Sequence, residues 1–279
     1  MLRCFGRIKL ISDFLESVMM SNDFTTIRKL VDRLRGNAVV FDFAPYEDVL
    51  SAIHQREAFF ETCEDRQLKS TSTDLVTRAR GGSSLDDLLV EAFALVREVS
   101  RRLLGLRPFD VQILGALIMH QGKLAEMQTG EGKTLTAVFP AYLNALTGQG
   151  VHVLTFNDYL ARRDADWMGP IYEFLGLTVG FVQEGMPPVE RRDAYRADIT
   201  YVTAKEAGFD HLRDFLSYEA KDLVHRDFHF VIVDEADSIL IDEARVPLVI
   251  AGTLDVSQAD PDQMARTVRF LKPNVDFEL

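Results

Sequence analysis

From Lys123 to Gly252 the chain repeats one pattern: a short run of apolar and β-branched residues, then a stretch with helical periodicity. The runs fall at Leu124–Met127, Val151–Phe156, Thr178–Val182, Ile199–Thr203 and Phe228–Val233. The helical stretches fall at about Thr134–Leu146, Tyr159–Leu175, Pro188–Arg196 and Phe209–Leu216. Strand–helix alternation of this kind predicts an α/β fold, a parallel sheet with helices on both faces. The runs are nearly all apolar, as strands covered on both sides must be. After Gly252 the alternation stops, and Thr253–Leu279 begins something different.

The first run leads into Met127-Gln128-Thr129-Gly130-Glu131-Gly132-Lys133-Thr134, which is expected to follow a strand and open a helix. That is the setting of a Walker A phosphate loop. Glycines at 130 and 132 let backbone amides turn inward around phosphate without a Cβ in the way. Lys133 is placed to contact the β- and γ-phosphates, and the Thr134 hydroxyl to take a position on Mg²⁺. The N-terminus of the following helix adds partial positive charge. Position 127 departs from the strict pattern, with Met where glycine is usual.

Two further elements support a nucleotide site. Phe230–Val233 is an apolar strand ending in Asp234-Glu235-Ala236-Asp237, the way a Walker B element presents two carboxylates. Asp234 is the candidate metal residue and Glu235 the candidate base for the attacking water. Ligands of open parallel sheets bind beyond the strand C-termini, which brings both loops together. Upstream lies Arg107-Pro108-Phe109-Asp110-Val111-Gln112. A glutamine there has both a donor and an acceptor for adenine, and Phe109 is placed to line the base. ATP with Mg²⁺ is therefore the expected ligand, with Lys133 and Glu235 as the catalytic pair.

The N-terminal part is expected to be mostly helical. Leu2, Phe5, Ile8, Ile11, Leu15 and Val18 are spaced as one helical stripe. A basic start makes an anionic membrane surface one reading of that helix; docking on the protein's own body is the other. After Gly81-Gly82-Ser83, Ser84 and Asp87 form a capping box. It opens a helix with Leu85, Leu88, Leu89, Ala92, Phe93, Val96, Val99 and Leu103 on one side, stopped by Gly105.

Composition narrows the classes. A net charge of −12 disfavours a dedicated nucleic-acid binder, so no nucleic-acid partner is expected. No apolar run approaches the ~18 residues that cross a bilayer. Arg3, Arg7, Lys9, Asp13 and Glu16 interrupt any secretory core, and Cys4 and Cys63 lie far apart, which fits a reduced, cytoplasmic chain. His225 and His229 are four apart, but the strand predicted at Phe228–Val233 would hold such a spacing too far apart for a zinc pair, and no third ligand is near. Asp242, Glu243 and Arg245 read equally as an ion-pair relay or a solvated cluster.

Taken together these residues resemble the SecA family of preprotein translocase ATPases. The resemblance is carried by Phe109–Gly115, Ala125–Gly148, Asn157–Trp167, Glu173–Gly180, Ala197–Thr203, Gly208–Asp214 and Asp234–Gly252. It implies a RecA-like P-loop domain over 85–252, preceded by a helical N-terminal region over 1–84. Thr253–Leu279 would then open an inserted preprotein cross-linking domain, incomplete here. It also implies ATP contacts at Gln112, Thr129, Gly130, Glu131, Gly132, Lys133 and Thr134, and metal and water at Asp234 and Glu235. The implied partners are a preprotein and the membrane translocon at the inner face of the cell membrane, with a homodimer allowed. The chain departs from the family wording at Ala204–Ala207 and His211, and it reads Asp-Glu-Ala-Asp at 234–237, the spelling of an RNA-helicase box. A DEAD-type helicase lobe and a nucleotide-binding paralogue without turnover are the alternatives. The resemblance also implies that a second lobe with its arginine finger is missing from these 279 residues.

Overall fold

A computed structural model of the chain describes residues 43–249. The predicted N-terminal helix and the segment after Gly252 lie outside the described residues. By compactness the chain divides into Met1–Ala52 and Ile53–Leu279.

Eight α-helices and four strands are described, besides a 3-10 turn (Ala220–Asp222) and a π turn (Ser238–Asp242): α1 (Ala44–Glu61), α2 (Asp65–Arg80), α3 (Leu85–Leu104), α4 (Asp110–His120), α5 (Lys133–Ala145), β1 (Val151–Thr155), α6 (Asp158–Phe174), β2 (Val179–Phe181), α7 (Pro188–Arg196), β3 (Ile199–Thr203), α8 (Ala204–Leu216) and β4 (Phe230–Val233). The sheet is parallel throughout, in the order β2-β3-β1-β4. Val151 lies opposite Ile199 on one side and Phe230 on the other. This is the expected α/β architecture of a P-loop domain, preceded by helices.

Local sequence explains most of the boundaries. Ser84 caps α3 by accepting from the Asp86 amide at 3.3 Å, one residue earlier than a capping box to Asp87 would have it. Gly105 ends α3 in the left-handed conformation, φ 68°, its amide returning to the Arg101 carbonyl at 3.1 Å. Asn157 and Thr203 cap α6 and α8, accepting from Leu160 and Glu206 amides. That second cap starts α8 at Ala204, five residues ahead of the predicted Phe209.

Helices cover both faces of the sheet. On one face Tyr172 of α6 meets Tyr201 of β3, hydroxyl to hydroxyl at 3.4 Å. On the other, Tyr195 of α7 joins Val182, Val202 and Val224 in a buried cluster, with Ala207 of α8 packed on it. α7 sits close because Gly180 has no side chain: a Cβ there would fall 2.7 Å from the Ala194 carbonyl oxygen. α3 is enclosed by α2, α5 and α6, so it is buried almost all round from Ala92 to Ser100, charged residues included.

One predicted strand is absent. Leu124–Met127 makes no ladder, and Leu124 is exposed. A strand needs a neighbour for its backbone groups, and none of the described strands runs beside this segment. Met127 anchors it through its side chain instead, with its sulfur 3.3 Å from where a Cβ on Gly115 would stand. Strand β4 begins at Phe230, two residues after the predicted start, so His229 precedes the strand. His225 is paired with Asp214, Nδ1 to Oδ2 at 2.8 Å. No cluster suited to a metal ion occurs among the described residues. No described helix is long and apolar enough to cross a membrane.

His152 on β1 is buried beside Tyr195, Phe228 and His225, and its Nε2 has no hydrogen-bond partner. Burial first, then the His225 and Arg226 charges, push its pKa down to about 4. The unfolded chain takes up this proton near the ordinary value of about 6.5. Stability is therefore fully present above about pH 6.5 and falls as pH drops towards 4, by roughly 3 kcal/mol from this residue. Thermal unfolding between pH 7 and 5 should show a falling midpoint, and His152→Phe should flatten that slope. An unchanged slope would assign the effect elsewhere.

Candidate nucleotide site

The loop Met127–Gly132 is shaped by its glycines and by one acidic side chain. Glu131 accepts from the Gln128 amide at 2.7 Å, closing a turn over Thr129 and Gly130. Gly130 and Gly132 are left-handed, at φ 88° and 80°. Gly132 also caps α5, where no side chain bonds to the first amides and the first turn has no acidic residue. The head of α5 therefore presents backbone donors with no competing side-chain acceptor, a ready site for an anion. A Cβ on Gly130 would meet nothing within 4 Å, so the space over the loop is open.

Lys133 reaches back across the loop, its Nζ 3.4 Å from the Met127 carbonyl. Thr134 is half-buried in the first turn of α5, and Thr129 is exposed. Thr136 donates its hydroxyl to the Gly132 carbonyl at 3.1 Å, fixing the start of the helix.

Gln112 is buried directly against this loop. Its Nε2 donates to the Glu131 carbonyl at 2.9 Å and lies 3.4 Å from that of Gly132. Its Oε1 accepts from the Phe109 amide at 2.7 Å. Both ends of the amide are engaged inside the protein, one on the phosphate loop and one on the segment that carries Phe109. Phe109 itself is 73% exposed.

The two acidic residues sit where β4 ends. The Asp234 amide continues the sheet, donating to the Leu154 carbonyl at 2.9 Å. Its carboxylate accepts from the Glu235 amide at 3.0 Å, which folds the chain back on itself. Glu235 is exposed and has φ 52°, the one left-handed non-glycine among the described residues. Helix α5 packs against β4 as well as β1 and β3, which brings the glycine loop and this corner to the same part of the sheet.

Other groups nearby had no sequence signal. Asp164 on α6 is buried and pairs with Arg163 at 2.6 Å. Burial pushes its carboxyl above the ordinary range against the Arg163 guanidinium, and the Asp234 charge adds to the rise. Asp242, Glu243 and Arg245 are exposed and no ion pair links them, so the solvated reading holds rather than the relay. The donor set suits a magnesium nucleotide: an uncapped helix head, a lysine, a hydroxyl and a half-buried carboxylate.

The sequence matches the family described as SecA DEAD-like domain over residues 32–277. It is 57% identical over 228 residues to the protein translocase subunit SecA of Rubrobacter xylanophilus, covering 81% of this chain and 25% of that one. To the chloroplastic protein translocase subunit SECA1 of Arabidopsis thaliana it is 54% identical over 207 residues, 74% of this chain and 20% of that one. The chain thus spans about a quarter of the length of such relatives. Among solved structures, a hypothetical ATP-dependent RNA helicase from Sulfolobus tokodaii aligns with a TM-score of 0.40 at 24% identity. That alignment covers 53% of this chain and 43% of that one, a likeness too slight to bear on function.

The loop geometry predicts unequal glycine sensitivities. A Cβ on Gly132 would stand 2.2 Å from the Gln112 Nε2, in addition to its left-handed φ, whereas Gly130 has only the unfavourable φ. Gly130→Ala should cost about 1–2 kcal/mol in a denaturant titration. Gly132→Ala should cost more, because it also displaces the Gln112 bonds. Equal losses would mean that Gln112 does not brace the loop.

Proposed function

The chain belongs to the SecA family, an ATPase family, and from that premise we propose that it is the ATP-binding motor lobe of a protein-export machine. The observation that carries the reading is the open glycine loop at the uncapped head of α5, a helix that packs on the strand, β4, whose end leads into Asp234 and Glu235. Amides of Gly130, Glu131 and Gly132 surround the phosphates, and Thr129 lies in the same turn. Lys133 neutralises the β- and γ-phosphate charge. Phe109 lines the adenine, and Gln112 stands between the base and the loop.

Thr134 and Asp234 are the residues that would hold Mg²⁺, which when bound neutralises charge on the phosphate oxygens. Glu235 orients the attacking water and accepts its proton; being exposed, its carboxylate is free to meet water. On this reading residues 85–252 are the RecA-like domain, 1–84 its helical N-terminal region and 253–279 the start of an inserted preprotein cross-linking domain. Its partners are a preprotein and the membrane translocon, and its place is the inner face of the cell membrane. The charge of −12 disfavours nucleic acid as a substrate. On this reading the arginine that stabilises the transferring phosphoryl comes from a second lobe, so residues 85–252 by themselves bind nucleotide and turn it over negligibly.

Calorimetry of ADP with Mg²⁺ tests the binding half. Lys133→Ala should weaken affinity, since it removes the charge facing the phosphates, and equal affinity in that variant would sink the assignment. The chemistry is tested in a protein as long as the relatives. There Glu235→Gln should keep nucleotide binding and lower hydrolysis by roughly 10²-fold or more, the usual contribution of a general base. Turnover within a factor of two of the parent would make another group the base.

A further inference from the structure

Beneath the Phe109–Gln112 segment lies a buried cluster of charges that the nucleotide reading leaves without a role. Arg97 on α3 has no exposed surface. Its Nε donates to the Pro108 carbonyl at 2.9 Å and its Nη2 to Asp110 Oδ1 at 2.6 Å. Its Nη1 lies 3.2 Å from Glu57 Oε2, as an ion pair without a directed hydrogen bond. Glu57 on α1, almost wholly buried, is gripped from the other side by Arg107, which donates Nε and Nη2 to its two oxygens at 2.8 Å each. His54, one turn before Glu57, completes the cluster, its Nε2 2.8 Å from Asp110 Oδ1. Arg97, Glu57 and His54 thus converge on the three residues Arg107, Pro108 and Asp110.

Those residues immediately flank Phe109, and Asp110 opens the helix that carries Gln112. Phe109 donates its amide to Gln112, and Gln112 donates to the Glu131 and Gly132 carbonyls. Polar contacts therefore run from the Arg97 guanidinium to the Pro108–Phe109 peptide, from its amide to Gln112, and from Gln112 to the glycine loop. A guanidinium deprived of water is tightly bound to its acceptors, because losing one leaves a buried charge unpaired. Its planar fork also fixes the directions of those acceptors, which a lysine ammonium does not.

We propose that Arg97 is a positioning residue for the nucleotide: it clamps Pro108 and Asp110 so that Phe109 and Gln112 are set for adenine and Gln112 braces the phosphate loop before ligand arrives. The inference rests on the nucleotide reading above and adds to it the source of base preference. Arg97 touches neither the ligand nor the loop and acts through Gln112.

The test uses two variants of the full 279-residue chain. Arg97→Lys keeps the charge and loses the fork. Asp110→Asn alters a side chain that is half exposed, so folding is preserved if the first variant fails to fold. Hydrogen exchange in the nucleotide-free protein should quicken about tenfold over 109–113 and 128–133, while β3 and α7 stay as in the parent. Calorimetry should show the preference for ADP over GDP falling about tenfold, with pyrophosphate affinity changed less than twofold. Tenfold is the scale of one charge-assisted hydrogen bond. Unchanged exchange over 128–133, or an unchanged ADP-to-GDP ratio, overturns the proposal. If the parent chain binds neither nucleotide, the nucleotide reading itself fails, and the exchange measurement alone decides whether Arg97 holds the loop.

Discussion

A charged side chain without access to water is tolerated only where acceptors surround it, and that requirement organises both ends of this lobe. At one end Arg97 gathers α1, α3 and the start of α4 around itself. At the other, Arg191 of α7 is nearly buried and binds Asp210 and Glu206 of α8 at 2.8 and 2.7 Å, together with the Gln183 and Met186 carbonyls. Tyr195 adds a hydroxyl bond to the same Asp210. Such networks contribute little net stability relative to well-packed apolar groups, but breaking one partner is expensive. Their directed contacts tie α7 to α8 at one place and α3 to α1 and α4 at the other.

The sheet supplies the other half of the architecture. Its parallel ladder fixes where strands end, and α5, which the glycine loop opens, packs on β1, β3 and β4, the last of which leads into the acidic corner. Burial on the two faces differs in chemistry. Tyr172 and Tyr201 link hydroxyl to hydroxyl on theirs, whereas the opposite face carries His152, Tyr195 and the Arg191 network. Burial raises the Tyr172 and Tyr201 phenols well above their ordinary range, so both remain neutral donors at any working pH.

Much of this was legible from local sequence. The helical stripe at Leu88, Leu89, Ala92, Phe93, Val96 and Val99 is buried as its spacing predicts. Leu103, at the end of the stripe, is 41% exposed. Strands β1 and β3 fall where β-branched runs mark them. Leu124–Met127 carries the same local signal yet forms no strand, since ladder formation depends on a neighbour remote in sequence. The loop glycines were readable because a left-handed backbone selects its residue type. Arg97, Glu57 and Asp164 were not: a charged residue on an amphipathic helix looks solvated until the helices around it are placed. The place of Gln112 ahead of the glycine loop was legible, but its grip on that loop is a property of the fold.

The left-handed backbone at Glu235 sets stability and chemistry at odds in one residue. Any side chain with a Cβ is strained there by about 1–2 kcal/mol, and glycine would relieve it. Variants selected for heat resistance alone would thus drift towards glycine or asparagine at 235 and lose the carboxylate proposed to take the proton from water. Retaining glutamate demands a steady selection for what that carboxylate does, at a position where folding favours its removal.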